Sequence, residues 1–295
     1  MNKKFRLVIS LALTLITLAV AGYFINGHRY LLRNLGRTSP LTLAIVFVLY
    51  LVMLVALVLI FSATLKLCDV KIGRRENVQL NIYSVFINFF VPGQGGPVFR
   101  GLYLKKRRGL KLAQYIIATL LYYFFYALVA IFLLLAGSRP WWQTVLLVVV
   151  AGLVGLGFLK FYSRRAKFKV SRLQLNIKTL GLVLAATAFQ ALVQIGIYFV
   201  ELHSVNAHIH FAQVVSYTGA ADLALFVGLT PGAIGIREAF LIFSRHLHHV
   251  SSANIVAANI IDRGVFLIFL AVLFILTISL HIKNRLAVDE AETAP

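Results

Sequence analysis

Uncharged apolar runs recur along the whole chain, and several approach or exceed the roughly 20 residues that carry a helix across a bilayer. Six full spans can be read by length, at about 7–25, 41–65, 112–136, 141–159, 180–200 and 253–282. Hydrophobic residues make up 60% of the 295 residues and mean hydropathy is +0.89, outside the range of a soluble globular domain. The expected fold is an all-α polytopic membrane protein, with one membrane domain over 1–286. The remainder, 287–295, carries Asp289, Glu290 and Glu292 and reads as a disordered cytoplasmic tail.

Two further apolar segments, 78–100 and 211–245, are broken in the middle. The first break reads Val91-Pro92-Gly93-Gln94-Gly95-Gly96-Pro97-Val98-Phe99-Arg100, and the second Thr230-Pro231-Gly232-Ala233-Ile234-Gly235-Ile236-Arg237. In each, Pro-Gly opens a turn, more glycine follows, and an arginine comes eight or six residues after the proline. The arm at 78–90 is too short to cross a bilayer alone, so each segment reads as a re-entrant broken-helix hairpin.

Charge placement selects between crossing and re-entry. With the amino terminus (Lys3, Lys4, Arg6) in the cytoplasm and both hairpins returning to their side of entry, most of the 29 Lys and Arg residues lie inside. The basic loop over 160–178 would face outward if the first hairpin crossed. Re-entry also turns the second half of the chain over relative to the first. The expectation is an inverted-topology repeat, with pseudo-repeats about 1–137 and 138–286, the first hairpin entering from the cytoplasm and the second from outside.

A helix broken at membrane depth exposes backbone groups that only protein or water can satisfy. Its second arm starts with free N–H groups and the positive end of the helix dipole, a favourable place for an anion. Pro92, Gly93, Gln94, Gly95 and Gly96 with Arg100, and Pro231, Gly232 and Gly235 with Arg237, are therefore candidate substrate-binding residues. A guanidinium fork matches phosphate, and Arg263 is a further candidate. The structural alternative is that Arg237 pairs with a neighbouring acid such as Glu238, and that Arg100 snorkels to the cytoplasmic surface. Glu201, Asp222, Asp262 and Arg263 lie in or near apolar segments, where charge is costly and marks a site or a pair. Asp222, Glu238 and Asp262 are candidates for charge pairing or proton coupling, Asp222 as a proton carrier or as a partner of Arg237 or Arg263.

Other features narrow the function. A net charge of +20 could suggest nucleic acid, but the basic residues fall in short clusters between spans, as in loops facing an anionic leaflet. The apolar run from Leu7 continues past a signal-peptide length, which favours a retained first helix. Cys68 is the single cysteine and excludes an internal disulfide. The histidines flanking the second hairpin have no zinc-ligand spacing, so no metal and no cofactor is expected. No nucleophile-elbow or Walker-type pattern is present. Trp141 and Trp142 read as interfacial anchors, Ala151 and Gly155 as a close-packing pair, and the tyrosines of 122–126 as packing that could line a polar path.

Pro92-Gly93-Gln94-Gly95-Gly96 with Arg100, Pro231-Gly232-x-x-Gly235-x-Arg237-Glu238-Ala239 and Arg263 resemble the flippase-like membrane domain of the lysylphosphatidylglycerol synthases and their stand-alone relatives. The resemblance covers nearly the whole chain. It implies a protein of the bacterial cytoplasmic membrane, multi-pass with both termini inside. It also implies movement of an anionic or aminoacylated phospholipid, or a related lipid-linked amphiphile, between leaflets. The soluble transferase domain of the two-domain members is not expected here, so the synthase activity is not carried over and no enzyme is expected. Relatives place an acid shortly before the first arginine, where this sequence has Pro97. Two other readings stay open: a membrane partner of a separate lipid-modifying or envelope-synthesis enzyme, and an enzyme that modifies a lipid headgroup.

Overall fold

The computed structural model describes residues 38–90, 95–136, 142–147, 149, 150, 152, 157, 173–227 and 236–293. Every element among these residues for which bounds are defined is helical. Helix α1 spans Pro40–Leu67, α2 Arg74–Phe90, α3 Gly95–Arg108, α4 Leu112–Ala136, α5 Ile177–Val205 and α6 Phe211–Ala224, which a 3-10 turn at Leu225–Val227 extends. They are followed by α7 at Ile236–Phe243, the single turn α8 at Arg245–His248, and α9 at Ser252–Thr293.

Four helices are long and apolar enough to cross a membrane: α1, α4, α5 and the Ser252–Thr277 part of α9. They coincide with four of the six expected spans. The other two are not described in full: all of 7–25 and nine residues of 141–159 lie outside the described residues, Trp141, Ala151 and Gly155 among them. The outward face of α1 carries Leu41, Val48, Leu51, Val55 and Leu59, all strongly exposed. Large aliphatic side chains repeating at helical spacing along a span of this hydropathy are in their preferred solvent when that solvent is hydrocarbon. The chain is a multi-pass membrane protein.

Local sequence sets the helix ends. Proline stands in the first turn of α1, where its missing N–H is no loss. At the far end Asp69 turns left-handed (φ 56°), Val70 N–H donates to Leu65 O (3.1 Å), and Asp69 N–H donates to Lys66 O (3.2 Å). That pair of bonds is a Schellman stop, and it aims the chain into α2. Asn176 caps α5 by accepting from Thr179 N–H at 2.9 Å. Helix α9 continues to Thr293, so the stretch from 287 that composition assigns to a disordered tail is helical. Its alanines and glutamates are good helix formers and extend a helix already nucleated by the span.

Helices α1 and α5 pack lengthwise and antiparallel: Gln174 N–H, just before α5, donates to Leu67 O at the end of α1 (2.9 Å), and Gly196 near the other end meets Leu49. This orientation fixes where the two broken segments sit. Helices α2 and α3 start and finish at the Leu67 end of α1. Helices α6 and α7 start and finish at the opposite end, where α5 stops and α9 begins. The bundle therefore carries two helical hairpins with mouths at opposite ends. Two apolar clusters flank the space between them, one around Tyr50, Ile197, Tyr217 and Val265, the other around Phe61, Leu104, Tyr115 and Val183.

Candidate functional site

Contacts along the first hairpin run in antiparallel register: Glu76 with Arg108, Asn81 with Arg100, Tyr83 with Phe99, and Asn88 with Gly96. The arms are longer than the apolar pattern suggests, reaching back to Arg74 and forward to Arg108, because their outer turns are polar but still helix-forming. Gly96 is required by close approach. A Cβ there would lie 2.6 Å from Ser84 O and 2.7 Å from Asn88 Oδ1, while Gly96 N–H donates to that same Oδ1 at 2.8 Å.

Arg100 does not snorkel to the surface. Its Nη1 donates to Asn81 Oδ1 (2.8 Å) and its guanidinium lies over the Phe61 ring at 4.4 Å. Asn81 Nδ2 in turn donates to Asn77 Oδ1 (2.7 Å), and Asn77 Nδ2 to Ser62 Oγ (2.6 Å). A polar ladder thus runs from α3 through α2 to α1. Each rung satisfies a group that would otherwise be stranded in an apolar layer.

The second hairpin is held by a different device. Arg237 on α7 meets Asp262 on α9 (Nη1 to Oδ2, 2.7 Å), while the next residues pair in the reverse sense, Arg263 with Glu238 (3.3 Å). Successive residues on a helix point about 100° apart. Glu238 therefore cannot serve Arg237 and reaches Arg263 instead, and Asp222, the other proposed partner, pairs with neither arginine. Asp262 also accepts from the Tyr50 hydroxyl of α1 on its other oxygen. Arg237 sits 5.2 Å from the Tyr198 ring centre. At the mouth, Gln213 bridges the arms by donating to His249 O (2.8 Å).

One cavity of about 310 Å³ receives both hairpins. The first contributes Val85, Asn88, Phe89, Pro97 and Arg100, and the second Leu225 and Arg237. Helix α1 supplies Tyr50, Met53, Leu57, Ile60, Phe61 and Thr64, whose spacing is a single helix face. Tyr115, Tyr122, Tyr123 and Tyr126 of α4 line another wall. Arg100, Arg237, Arg263 and Asp262 all reach the cavity, leaving its wall net positive. Two Arg237 nitrogens, Nε and Nη2, are buried without an acceptor. A guanidinium that spends only one of its nitrogens on an ion pair leaves its fork open to a second anion.

The structure brings Arg100, Arg237, Asp262 and Arg263 around this space, with Glu238 behind Arg263 and Gly96 packed against Ser84 and Asn88 within the first hairpin. Gly95 starts α3, while Pro92, Gly93, Gln94, Pro231, Gly232 and Gly235 lie outside the described residues. Asp222 is buried on α6 with no hydrogen bond to either oxygen; the Tyr126 hydroxyl is within electrostatic reach but outside hydrogen-bond geometry. Asp262 is only 2% exposed, well inside the α9 span. Sequence reasoning left out Tyr50, Asn81 and Tyr198. Only Asn81 carried a signal, as an amide in the otherwise apolar run of 78–90. No group of residues that could hold a metal ion occurs among the described residues.

The fold and this charged cavity define a helical membrane protein with a positively lined chamber reached by two helical hairpins. Residues 6–273 match the family described as Lysylphosphatidylglycerol synthase TM region, and the chain belongs to that family. A search of curated proteins finds no match.

Proposed function

We propose that this protein moves a phospholipid, or a related lipid-linked amphiphile with an anionic headgroup, between the leaflets of a bacterial cytoplasmic membrane. The observation that carries the reading is Arg237, held by Asp262 through one nitrogen, with two more left without an acceptor beside a cavity that both hairpins line. The headgroup phosphate binds Arg237 and Arg100, with Arg263 close by, and the acyl chains stay in the bilayer. A cavity of about 310 Å³ suits a headgroup and excludes the chains. The hairpins are re-entrant, entering from opposite leaflets as halves of an inverted repeat, with six spans in all and both termini cytoplasmic. Hairpin mouths at opposite ends of the α1–α5 pair support that topology. No bond is made or broken in this scheme, so the protein is a transporter and not an enzyme.

Leaflet-resolved movement of fluorescent phosphatidylglycerol in proteoliposomes tests it. Arg237→Ala and Arg100→Ala should each slow movement at least about tenfold, the loss expected for one charge-assisted contact. Unchanged rates in both variants would remove the binding role. The family's description as part of a synthase favours a second reading, a membrane partner of a separate lipid-modifying enzyme. The exposed basic end of α3, Lys105, Lys106, Arg107 and Arg108, would be the docking point.

A further inference from the structure

Glu201, near the end of α5, is fully buried, and neither of its carboxylate oxygens has a hydrogen-bond partner. The titratable and charged groups facing it are Asp262 and Arg263 from α9, Arg237 from α7, Tyr50 from α1 and Tyr217 from α6. Tyr217 in turn touches the His248 ring of α8 at 5.4 Å and is within reach of Glu238. On its own helix the nearest turn carries Tyr198, whose ring meets Tyr217. Asp222 of α6 lies against Tyr126 of α4 and is within electrostatic reach of Arg237 and Tyr198.

Asp262 faces Glu201, but its two oxygens already accept from Tyr50 and Arg237. Two ionised carboxylates offer each other only acceptors. A hydrogen bond between them requires a proton on one, as in other buried carboxyl pairs. Arg237 directs one nitrogen at Asp262 and none at Glu201. Glu201 is thus a buried acid facing an acid, beside an arginine with spare donors. An ionised carboxylate without any donor is among the costliest groups to bury, and one proton removes that cost.

We propose that Glu201 and Asp262 hold one proton between them, and that this proton is taken up and released together with the anion bound at Arg237. The proposal rests on the lipid reading above and assigns its coupling ion. An anion on Arg237 adds negative charge beside the acid pair and engages the guanidinium that would otherwise stabilise an ionised Glu201. Both effects hold the proton more tightly. When the proton leaves, ionised Glu201 becomes an internal competitor for the spare Arg237 nitrogens and displaces the headgroup. A phosphodiester with a single negative charge and one proton enter together and leave together, so the pair moves no net charge. Linkage is reciprocal, so anion affinity rises as pH falls, by up to about tenfold per pH unit.

The test uses the purified full chain and short-chain phosphatidylglycerol. Calorimetry in two buffers of different ionisation enthalpy counts protons, and infrared difference spectra report the C=O band of a protonated carboxyl. At a pH where the unliganded pair has released its proton, wild type should take up close to one proton per lipid and show a lipid-induced carboxyl band that Glu201→Gln lacks. Glu201→Gln, which keeps the shape of the protonated acid, should bind the lipid with no proton uptake and with affinity flat across pH. Binding by wild type without proton uptake, or uptake that persists in Glu201→Gln, overturns the coupling and leaves the lipid reading standing. A carboxyl band with no phosphatidylglycerol binding sinks the lipid reading and the coupling with it. The wild-type measurements decide the matter even if the variant fails to fold.

Discussion

Arg237 and Asp262 meet at 2.7 Å across α7 and α9 with side chains 7% and 3% exposed, while Arg263 and Glu238 close a second, reversed bridge one residue along. Removing one member of a buried pair strands the other charge, which costs far more than the pair contributes. Asp262→Ala should lower stability by about 3–5 kcal/mol. The double variant Arg237→Ala/Asp262→Ala should lose clearly less than the two single losses added. Denaturant unfolding of the detergent-solubilised protein provides the comparison. Additive losses would mean that the two residues do not act as a pair.

Gly219 on α6 packs against the backbone of α4. A Cβ there would stand 2.5 Å from Ala130 O and 2.7 Å from Leu134 Cα, with Leu134 N closer still. Backbone of a spanning helix cannot step aside as a flexible side chain can. Gly219→Ala should cost upward of about 3 kcal/mol, the severe end of overpacking. Gly196→Ala is the control, because its new methyl would meet only Leu49 side-chain carbons at 3.6 and 3.7 Å. Equal thermal stability of the two variants would refute this packing.

These constraints show what could and could not be seen without coordinates. Spans α1, α4, α5 and α9 were legible because length and lack of charge define them, though α5 and α9 run on past the apolar bounds of 180–200 and 253–282. The hairpin arms were legible as broken apolar runs, but the polar outer turns at Arg74–Asn77 and Lys105–Arg108 were not, since a hydropathy reading stops where helix propensity does not. Which acid pairs with which arginine was hidden. Glu238 is next to Arg237 in the chain but on a different side of α7, and Asp262 is brought to it only by the path of α9. Glu201 stood out as a charge in an apolar segment, yet its lack of any donor is a property of five helices together.

Asn81 accepts from Arg100 Nη1 at 2.8 Å, and it is itself positioned by Asn77. Asn81→Leu keeps the volume and removes the acceptor. A hydrogen bond to a charged group contributes about 1.5–3 kcal/mol, so Arg100 should lose its fixed direction into the cavity. Phosphatidylglycerol movement in proteoliposomes should slow by roughly tenfold, with the apolar contacts between α2 and α3 intact. A variant as fast as wild type would show that the ladder supports only the hairpin.

His248 reads acidity at the mouth of the second hairpin. Its Nδ1 accepts from Val250 N–H (3.2 Å) and its Nε2 bonds Leu241 O (3.0 Å), an arrangement that needs a neutral ring with the proton on Nε2. Burial holds the imidazole below its ordinary value of 6.5, with His246 and His249 pushing the same way and the Leu241 carbonyl opposing. The unfolded chain therefore binds a proton before the folded one does. The contribution of His248 to stability is present above pH 6.5 and is lost as pH falls from there through the folded value. Wild type should lose more thermal stability than His248→Gln between pH 8 and pH 5. Glutamine can keep a donor and an acceptor at this position but does not titrate. Melting curves that fall in parallel across that range would place the acid sensitivity of the hairpin mouth elsewhere.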